Sequence, residues 1–312
     1  MLKVIQTAMT PADLARLKGQ PVMDARPLTA GLDNLSHIRQ VAAAACAAAE
    51  AGGFTSLLLP VINTRKQETA AATVAPLLVS EVRRYLSLGS RLAEVTFVLP
   101  DQRWLEAFQQ AAGRQKIVCL GDSITYGYPE GPDSSWVNLA AAATGYRFIN
   151  RGVNGDTTGQ MLARFARDVA EETPAYVILA GGHNDGWLGV PLSEVAANIS
   201  SLVDQSFEHG ICPLLVLPSP LHLEQMLRHY PGSRRAAVAY CHRLEQIRRW
   251  LGRYAAARGL LTIDFYTPLL DNGTGQADTK YLLDGGHPTR QGYRMLADAV
   301  VNRLKGRLHF TQ

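Results

Sequence analysis

The chain has 312 residues, a formal net charge of +4, 47% hydrophobic residues and 19% charged ones. Such a composition describes a soluble globular protein long enough for two domains or one large one. Its arginines are scattered and form no basic block, which gives nucleic-acid binding no support, and no apolar run reaches the ~18 residues of a membrane span.

The first third alternates between strand and helix signals. Residues 2–7 and 21–24 are weak strand candidates. A helix is predicted over 36–51, with Ser36 as its N-cap and a small-residue face at 42–49. Residues 54–62 form an apolar run expected to be a buried strand. A helix is predicted over 68–86, kinked at Pro76, then a strand over 93–99 and a closing helix over 102–112. The alternation predicts a doubly wound α/β unit over residues 1–112. Gly113-Arg114-Gln115 is too short for a flexible linker before the second unit, residues 114–312.

The second unit opens on a strand over 116–120. The run Gly121-Asp122-Ser123-Ile124-Thr125 breaks that strand and puts a serine at the turn into a helix. A hydroxyl there is exposed, near backbone N–H groups that can stabilise an anion. A strand over 146–149 leads into Asn150-Arg151-Gly152-Val153-Asn154-Gly155-Asp156. An apolar strand over 176–180 leads into Gly181-Gly182-His183-Asn184-Asp185. A helix over 234–258 carries its charges on one face. Asp284-Gly285-Gly286-His287-Pro288 precedes a final helix over 293–304. In a doubly wound sheet such strand ends gather on one edge, where these folds bind ligands.

These four segments, in this order, resemble the sequence blocks of the SGNH (GDSL) hydrolases over residues ~114–305. The matching positions are Ser123, Gly155, Asn184 and His287, with Asp284 three residues before the histidine. The resemblance implies a flavodoxin-like α/β/α sandwich and hydrolysis of esters or thioesters, with neither metal nor cofactor. The chemistry agrees. A serine hydroxyl needs a base to take its proton, and an imidazole titrates near neutral pH. Asp284 can fix the ring's tautomer across the Gly-Gly turn. The backbone N–H groups of Ser123 and Gly155 and the side-chain amide of Asn184 can serve as three oxyanion donors. The Gly-x-Ser-x-Gly elbow of the α/β-hydrolases is missing.

Other residues carry weaker expectations. Asp122 reads as a structural turn residue, and Asp156 and Asp185 as braces for their loops. His183 either lines the pocket or stabilises its loop. Asp122, His183, Tyr126 and Trp187 are the candidate substrate-pocket residues, within walls expected from the loops 126–136, 187–191 and 218–231. Cys46, Cys119, Cys212 and Cys241 show no Cys-x-x-Cys spacing, and Cys119 and Cys212 read as core residues. The opening residues lack a signal-peptide pattern, so the expected compartment is the cytoplasm.

The later half of residues 1–112 also resembles the C-terminal half of a macro domain, over 42–60, 68–86 and 94–108. It lacks that family's early glycine-rich loop. Its loop Asn63-Thr64-Arg65-Lys66-Gln67 has no glycine to form a phosphate cradle. A packing or oligomerisation domain without ADP-ribose binding is therefore expected. The reading as a whole is a serine ester or thioester hydrolase with a small-molecule ester substrate and no nucleic-acid partner, its oligomeric state left open. The alternatives are an acyltransferase using the same site, or a ligand-binding scaffold with a vestigial hydrolase fold.

Overall fold

The computed structural model describes residues 2–6, 35–61, 71–230 and 232–310. The chain divides into two compact units: Met1–Gln115 with Ser206–Cys212 and Gly306–Gln312, and Lys116–Gln205 with Pro213–Lys305.

In the first unit, strands β1 (Leu2–Gln6), β2 (Ser56–Pro60) and β3 (Glu94–Leu99) form a sheet in the order β1-β3-β2, with both pairings parallel. Parallel strands need crossovers, and helices Leu35–Ala51 and Ala71–Ser87 supply them in the order that the sequence alternation predicts. The core is apolar where helix and sheet meet. Ala42, Ala45, Val74, Val82, Leu57 and Val95 are buried, and Phe97 meets Phe108 at 4.7 Å between ring centres. Two charged groups are buried with partners. Glu81 receives Arg39 on one carboxylate oxygen and Arg84 on the other. Arg83 donates to the carbonyls of Ala111 (3.3 Å) and Ala112 (2.6 Å), groups that the end of helix Gln102–Ala112 leaves without intrahelical donors.

One expectation needs correcting here. Phe54, expected inside a buried strand, is 43% exposed. Its N–H bonds back to the Ala49 carbonyl, so it finishes the preceding helix instead of starting the strand. Helix Ala71–Ser87 runs through Pro76, as expected. The strand expected over 21–24, the loop Asn63–Gln67 and the first residues of the helix expected from Glu68 lie outside the described residues.

The second unit carries five strands: β4 (Lys116–Gly121), β5 (Arg147–Gly152), β6 (Tyr176–Ala180), β7 (Cys212–Leu217) and β8 (Thr262–Asp264). Their order is β5-β4-β6-β7-β8. That is the flavodoxin-like order, in which the second strand lies outside the first and the third returns to its other side. β4 pairs in parallel with both β5 and β6. β4 and β6 are almost wholly buried apolar runs, as central strands must be. β5 runs longer than the 146–149 expected, because Asn150 and Arg151 continue it. An edge strand is only half covered and tolerates them. The chain leaves β4 outward to β5, then returns to β6, and this switch point opens a crevice beside the carboxyl end of β4.

Gly121 ends β4 under close constraint. A Cβ there would collide with Thr125 Oγ1 and come within 2.5 Å of the Ala180 carbonyl oxygen on β6. Gly121→Ala is therefore expected to destabilise the fold by about 1–3 kcal/mol, the usual cost of overpacking. Urea unfolding monitored by circular dichroism checks this.

Candidate active site

Ser123 opens a single helical turn, Ser123–Tyr126, directly after β4. The turn forms because Asp122 caps it, accepting the Ile124 N–H at 2.9 Å. Ser123 Oγ lies 3.0 Å from His287 Nε2. His287 Nδ1 lies 2.7 Å from Asp284 Oδ2. The other carboxylate oxygen accepts the N–H groups of Gly286 (3.0 Å) and His287 (2.8 Å). The intervening Gly285 has φ +91, and a Cβ there would press on the backbone of Met226 and His222. Only glycine closes this loop, which lets Asp284 hold both the backbone and the ring of His287. Thr289 then caps the final helix, Arg290–Leu304, which extends three residues further toward the N-terminus than expected.

The carboxylates near the serine differ in their electrostatics. Burial pushes Asp122 up to about 6, only partly offset by the bond from Ile124. Burial acts on Asp284 in the same direction, but the His287 ring, the Tyr230 hydroxyl and the His287 N–H together hold it well below the usual carboxylate range. Tyr230 OH donates to Asp284 Oδ2 at 2.5 Å. His183 is pushed down to about 3, chiefly by burial and secondarily by the nearby His287. It is a neutral ring held between Tyr240 OH and Ser219 Oγ, each at 3.0 Å.

Asn184 follows His183 on the short helix His183–Leu188, after β6. Its side-chain amide donates to the Asp156 carbonyl at 2.9 Å, which leaves its second N–H directed elsewhere. Asp156 itself pairs with Arg164 at 2.6 Å, and Arg164 also bonds the Gly121 carbonyl (2.9 Å) and Asp168 (2.7 Å). Asp185 accepts the Thr158 N–H and hydroxyl. Asp156 and Asp185 thus brace their loops.

A cavity of about 220 Å³ is lined by Ser123, Asn184 and His287 on its polar side, and by Ile124, Trp187, Met226, Tyr230 and Tyr240 on its apolar side. His183 lines it as well. Asp122, Tyr126 and Gly155 are not among its lining residues. Asp122 is instead occupied capping the serine turn, and the aromatic ring found against His287 is that of Tyr128, at 4.6 Å. A larger cavity of about 330 Å³, lined by Ser219, Leu221, Arg248 and Tyr266 among others, contains neither Ser123 nor His287. Met226 and Tyr230 lie in the segment 218–231 expected as a pocket wall, as does Ser219 beside His183, but their individual roles, and Arg164 and Tyr240 altogether, carried no signal in the sequence. Each reaches the site by a contact between segments distant in the chain, with no local spacing to reveal it.

Comparison with known proteins fits this geometry. Residues 119–295 match the GDSL-like Lipase/Acylhydrolase family model. Esterase TesA of Pseudomonas aeruginosa is 29% identical over 172 residues, 52% of this chain and 83% of that protein. The Uncharacterized lipoprotein YqeF of Bacillus subtilis is 26% identical over 61% of this chain and 90% of its own length. Among solved structures, the lipase/acylhydrolase from Enterococcus faecalis superposes with a TM-score of 0.52 at 27% identity, over 64% of this chain and 99% of its own. A putative lipolytic protein of the G-D-S-L family from Desulfitobacterium hafniense gives 0.52 at 26% identity, over 61% of this chain and 100% of its own. The fold and the serine-bearing turn define a hydrolase of the flavodoxin-like α/β type. The chain belongs to the GDSL-like lipase/acylhydrolase family and is a carboxylic ester hydrolase. No helix among the described residues is long and apolar enough to cross a membrane.

The buried His183 has a consequence for stability. The ring's ordinary value is 6.5, lowered in the fold to about 3. Between these values the unfolded chain binds a proton that the folded chain refuses, so stability falls as pH drops below ~6.5. His183→Gln keeps a hydrogen-bonding side chain and removes this term. The stability difference, wild type minus variant, is expected to fall by about 1.4 kcal/mol per pH unit between pH ~6 and ~4. His309 is also lowered, to about 4, but is common to both proteins and cancels. Denaturant titrations at several pH values measure the slope.

Proposed function

We propose that this enzyme hydrolyses small acyl esters or thioesters through an acyl-enzyme on Ser123. The observation that carries this reading is the hydrogen-bonded line Ser123 Oγ, His287 Nε2, His287 Nδ1 and Asp284 Oδ2, with links of 3.0 and 2.7 Å. His287 takes the hydroxyl proton as Ser123 Oγ attacks the acyl carbon. Asp284 holds the ring with Nδ1 protonated, so Nε2 is free to accept, and it stabilises the imidazolium that forms. His287 then gives its proton to the departing alkoxide or thiolate. Water, activated by the same ring, releases the acid and restores the serine.

The oxyanion is assigned three donors. The Ser123 N–H, first in its helical turn, has no intrahelical acceptor. The Asn184 amide has a second N–H beyond the one held by Asp156. The Gly155 N–H lies on the loop after β5 that carries Asp156. The apolar wall of Ile124, Met226, Trp187 and Tyr230 suits a hydrocarbon or ring in the substrate. Relatives named Esterase TesA and Thioesterase 1/protease 1/lysophospholipase L1 are in keeping with ester and thioester bonds as the target.

Ser123→Ala is expected to lower kcat by ~10⁴-fold or more on p-nitrophenyl acetate while the fold remains intact. A fluorophosphonate probe is expected to label wild type and not the variant; labelling that persisted would place the nucleophile elsewhere. Asn184→Ala is expected to lower kcat by roughly 10²–10³-fold with a much smaller change in KM, because its amide meets charge that develops only in the transition state. Steady-state kinetics on the same ester separates the two parameters.

A further inference from the structure

Asp284 carries one hydrogen bond more than the orientation of His287 requires. Oδ1 takes the N–H groups of Gly286 and His287, and Oδ2 is shared between His287 Nδ1 at 2.7 Å and the Tyr230 hydroxyl at 2.5 Å. Tyr230 is held in place from two sides. Its N–H closes the end of helix Leu223–His229 on the Met226 carbonyl, and its ring packs 5.9 Å from that of Trp187. Both rings line the cavity beside Ser123.

We propose that Tyr230 is a positioning residue of the hydrolytic site. Its hydroxyl fixes Asp284 Oδ2 against His287 and takes up part of the carboxylate's charge, so that His287 releases its proton more readily than an unassisted Asp–His pair would allow. The proposal rests on Ser123, His287 and Asp284 working as described above. The reasoning is electrostatic. A donor on a carboxylate oxygen stabilises the ionised form and spreads its charge. With the phenol removed, more of that charge is presented to His287 Nδ1–H. The imidazolium is then favoured, and the neutral ring that acts as base forms only at higher pH.

Other groups face the pair from the surrounding elements. Asp122 on the β4 turn and His183 on the helix after β6 act on His287 through charge, and Tyr128 lies against its ring. Tyr240 and Tyr293 feel the charge of Asp284 and, raised well above their usual range, stay neutral. His183 stays neutral above about 3. Asp122, pushed up to about 6 by burial, acts on the same ring through charge, so it needs its own control. Asp122→Asn removes the charge and keeps the cap.

The test follows the His287 ring by NMR in the full-length chain with labelled histidine, the resonance being assigned by its loss in His287→Gln. Tyr230→Phe keeps the ring against Trp187 and removes only the hydroxyl. Its His287 midpoint is expected to rise by roughly half a unit to one unit, in the wild-type and Asp122→Asn backgrounds alike. The acid limb of kcat/KM on p-nitrophenyl acetate is expected to move upward by the same amount, with the plateau lowered by less than ~10-fold. Incorporation of 3-fluorotyrosine at position 230, a stronger donor, is expected to move both downward, and it decides the matter should Tyr230→Phe fold poorly. A midpoint that stays in place with both replacements, or that moves only while Asp122 is ionisable, overturns the proposal. If the wild-type protein hydrolyses no ester, the hydrolytic reading fails, and the NMR titration still decides whether Tyr230 governs His287.

Discussion

Arg164 is the side chain on which the geometry around Ser123 turns. Its guanidinium, only 10% exposed, reaches the Gly121 carbonyl at the end of β4, the Asp156 carboxylate on the loop after β5, and Asp168. The Asp156 carbonyl in turn holds the Asn184 amide on the segment after β6. One planar, permanently charged group thus ties together the ends of three neighbouring strands, the same three whose order creates the crevice. Arginine suits the position because its donors form a fixed fork that lysine cannot reproduce. Such a buried cluster is not a source of net stability. Removing Arg164 would leave the Asp156 carboxylate charged and without this partner in a poorly solvated place, while Asp168 would keep Arg167. What the cluster provides is registration between the turn bearing the serine and the loop bearing the amide, and an active site needs that to within a fraction of an ångström.

Three buried aspartates show that burial decides the charge state unless enough local donors oppose it. Asp122 is almost fully covered and has one neighbouring N–H on its side chain, so burial wins and its carboxyl moves up to about 6. Asp185 has the Thr158 amide and hydroxyl, yet burial still raises it. Asp284 meets four donors, and there the bonds win over burial. The carboxylate beside the His287 imidazole is the one for which the fold has gathered donors. The Gly285–Gly286 turn makes this achievable, since it brings two backbone N–H groups onto Oδ1 while leaving Oδ2 for the ring.

Legibility in the sequence followed the distance over which each interaction acts. Ser123, Asp284 and His287 sit in local loops marked by glycines and a short spacing, and the structure gathers them around one cavity; the strands β4 and β6 announce themselves by unbroken apolar runs. Asn184, in a Gly-Gly loop after β6, lines the same cavity. The edge strand β5 was read too short because half-exposed strands accept polar residues such as Asn150 and Arg151, which erases the pattern at its end. Phe54 was read into a strand because an apolar residue beside an apolar run looks continuous with it; the helix-closing bond to Ala49 is invisible in one dimension. Tyr230, Tyr240 and Ser219 approach Asp284 and His183 across 54, 57 and 36 residues of chain. No periodicity connects positions so far apart, and only the fold brings them together.

The division of labour inside the cavity follows from the same architecture. The serine, the amide and the histidine are fixed to β4, to β6 and to the loop before the last helix, and the sheet sets their separations. Part of the apolar wall, Trp187 and Met226, comes from two short helices, His183–Leu188 and Leu223–His229, of six and seven residues. Helices this short have little stability of their own and depend on the side chains packed against them. Met226, Tyr240 and Leu244 form one such cluster, with Leu221, Leu223 and Leu227 against it. Substitutions at Leu223, Leu227 or Leu244 act on the shape of the wall, whereas Met226 lies against Gly285 in the turn between Asp284 and His287. Tyr230 and Trp187 are tied to the polar groups more closely still. Trp187 stands three residues from Asn184 on the same short helix, and Tyr230 is bonded to Asp284, so at these two places the shape of the pocket and the geometry of the chemistry cannot vary independently.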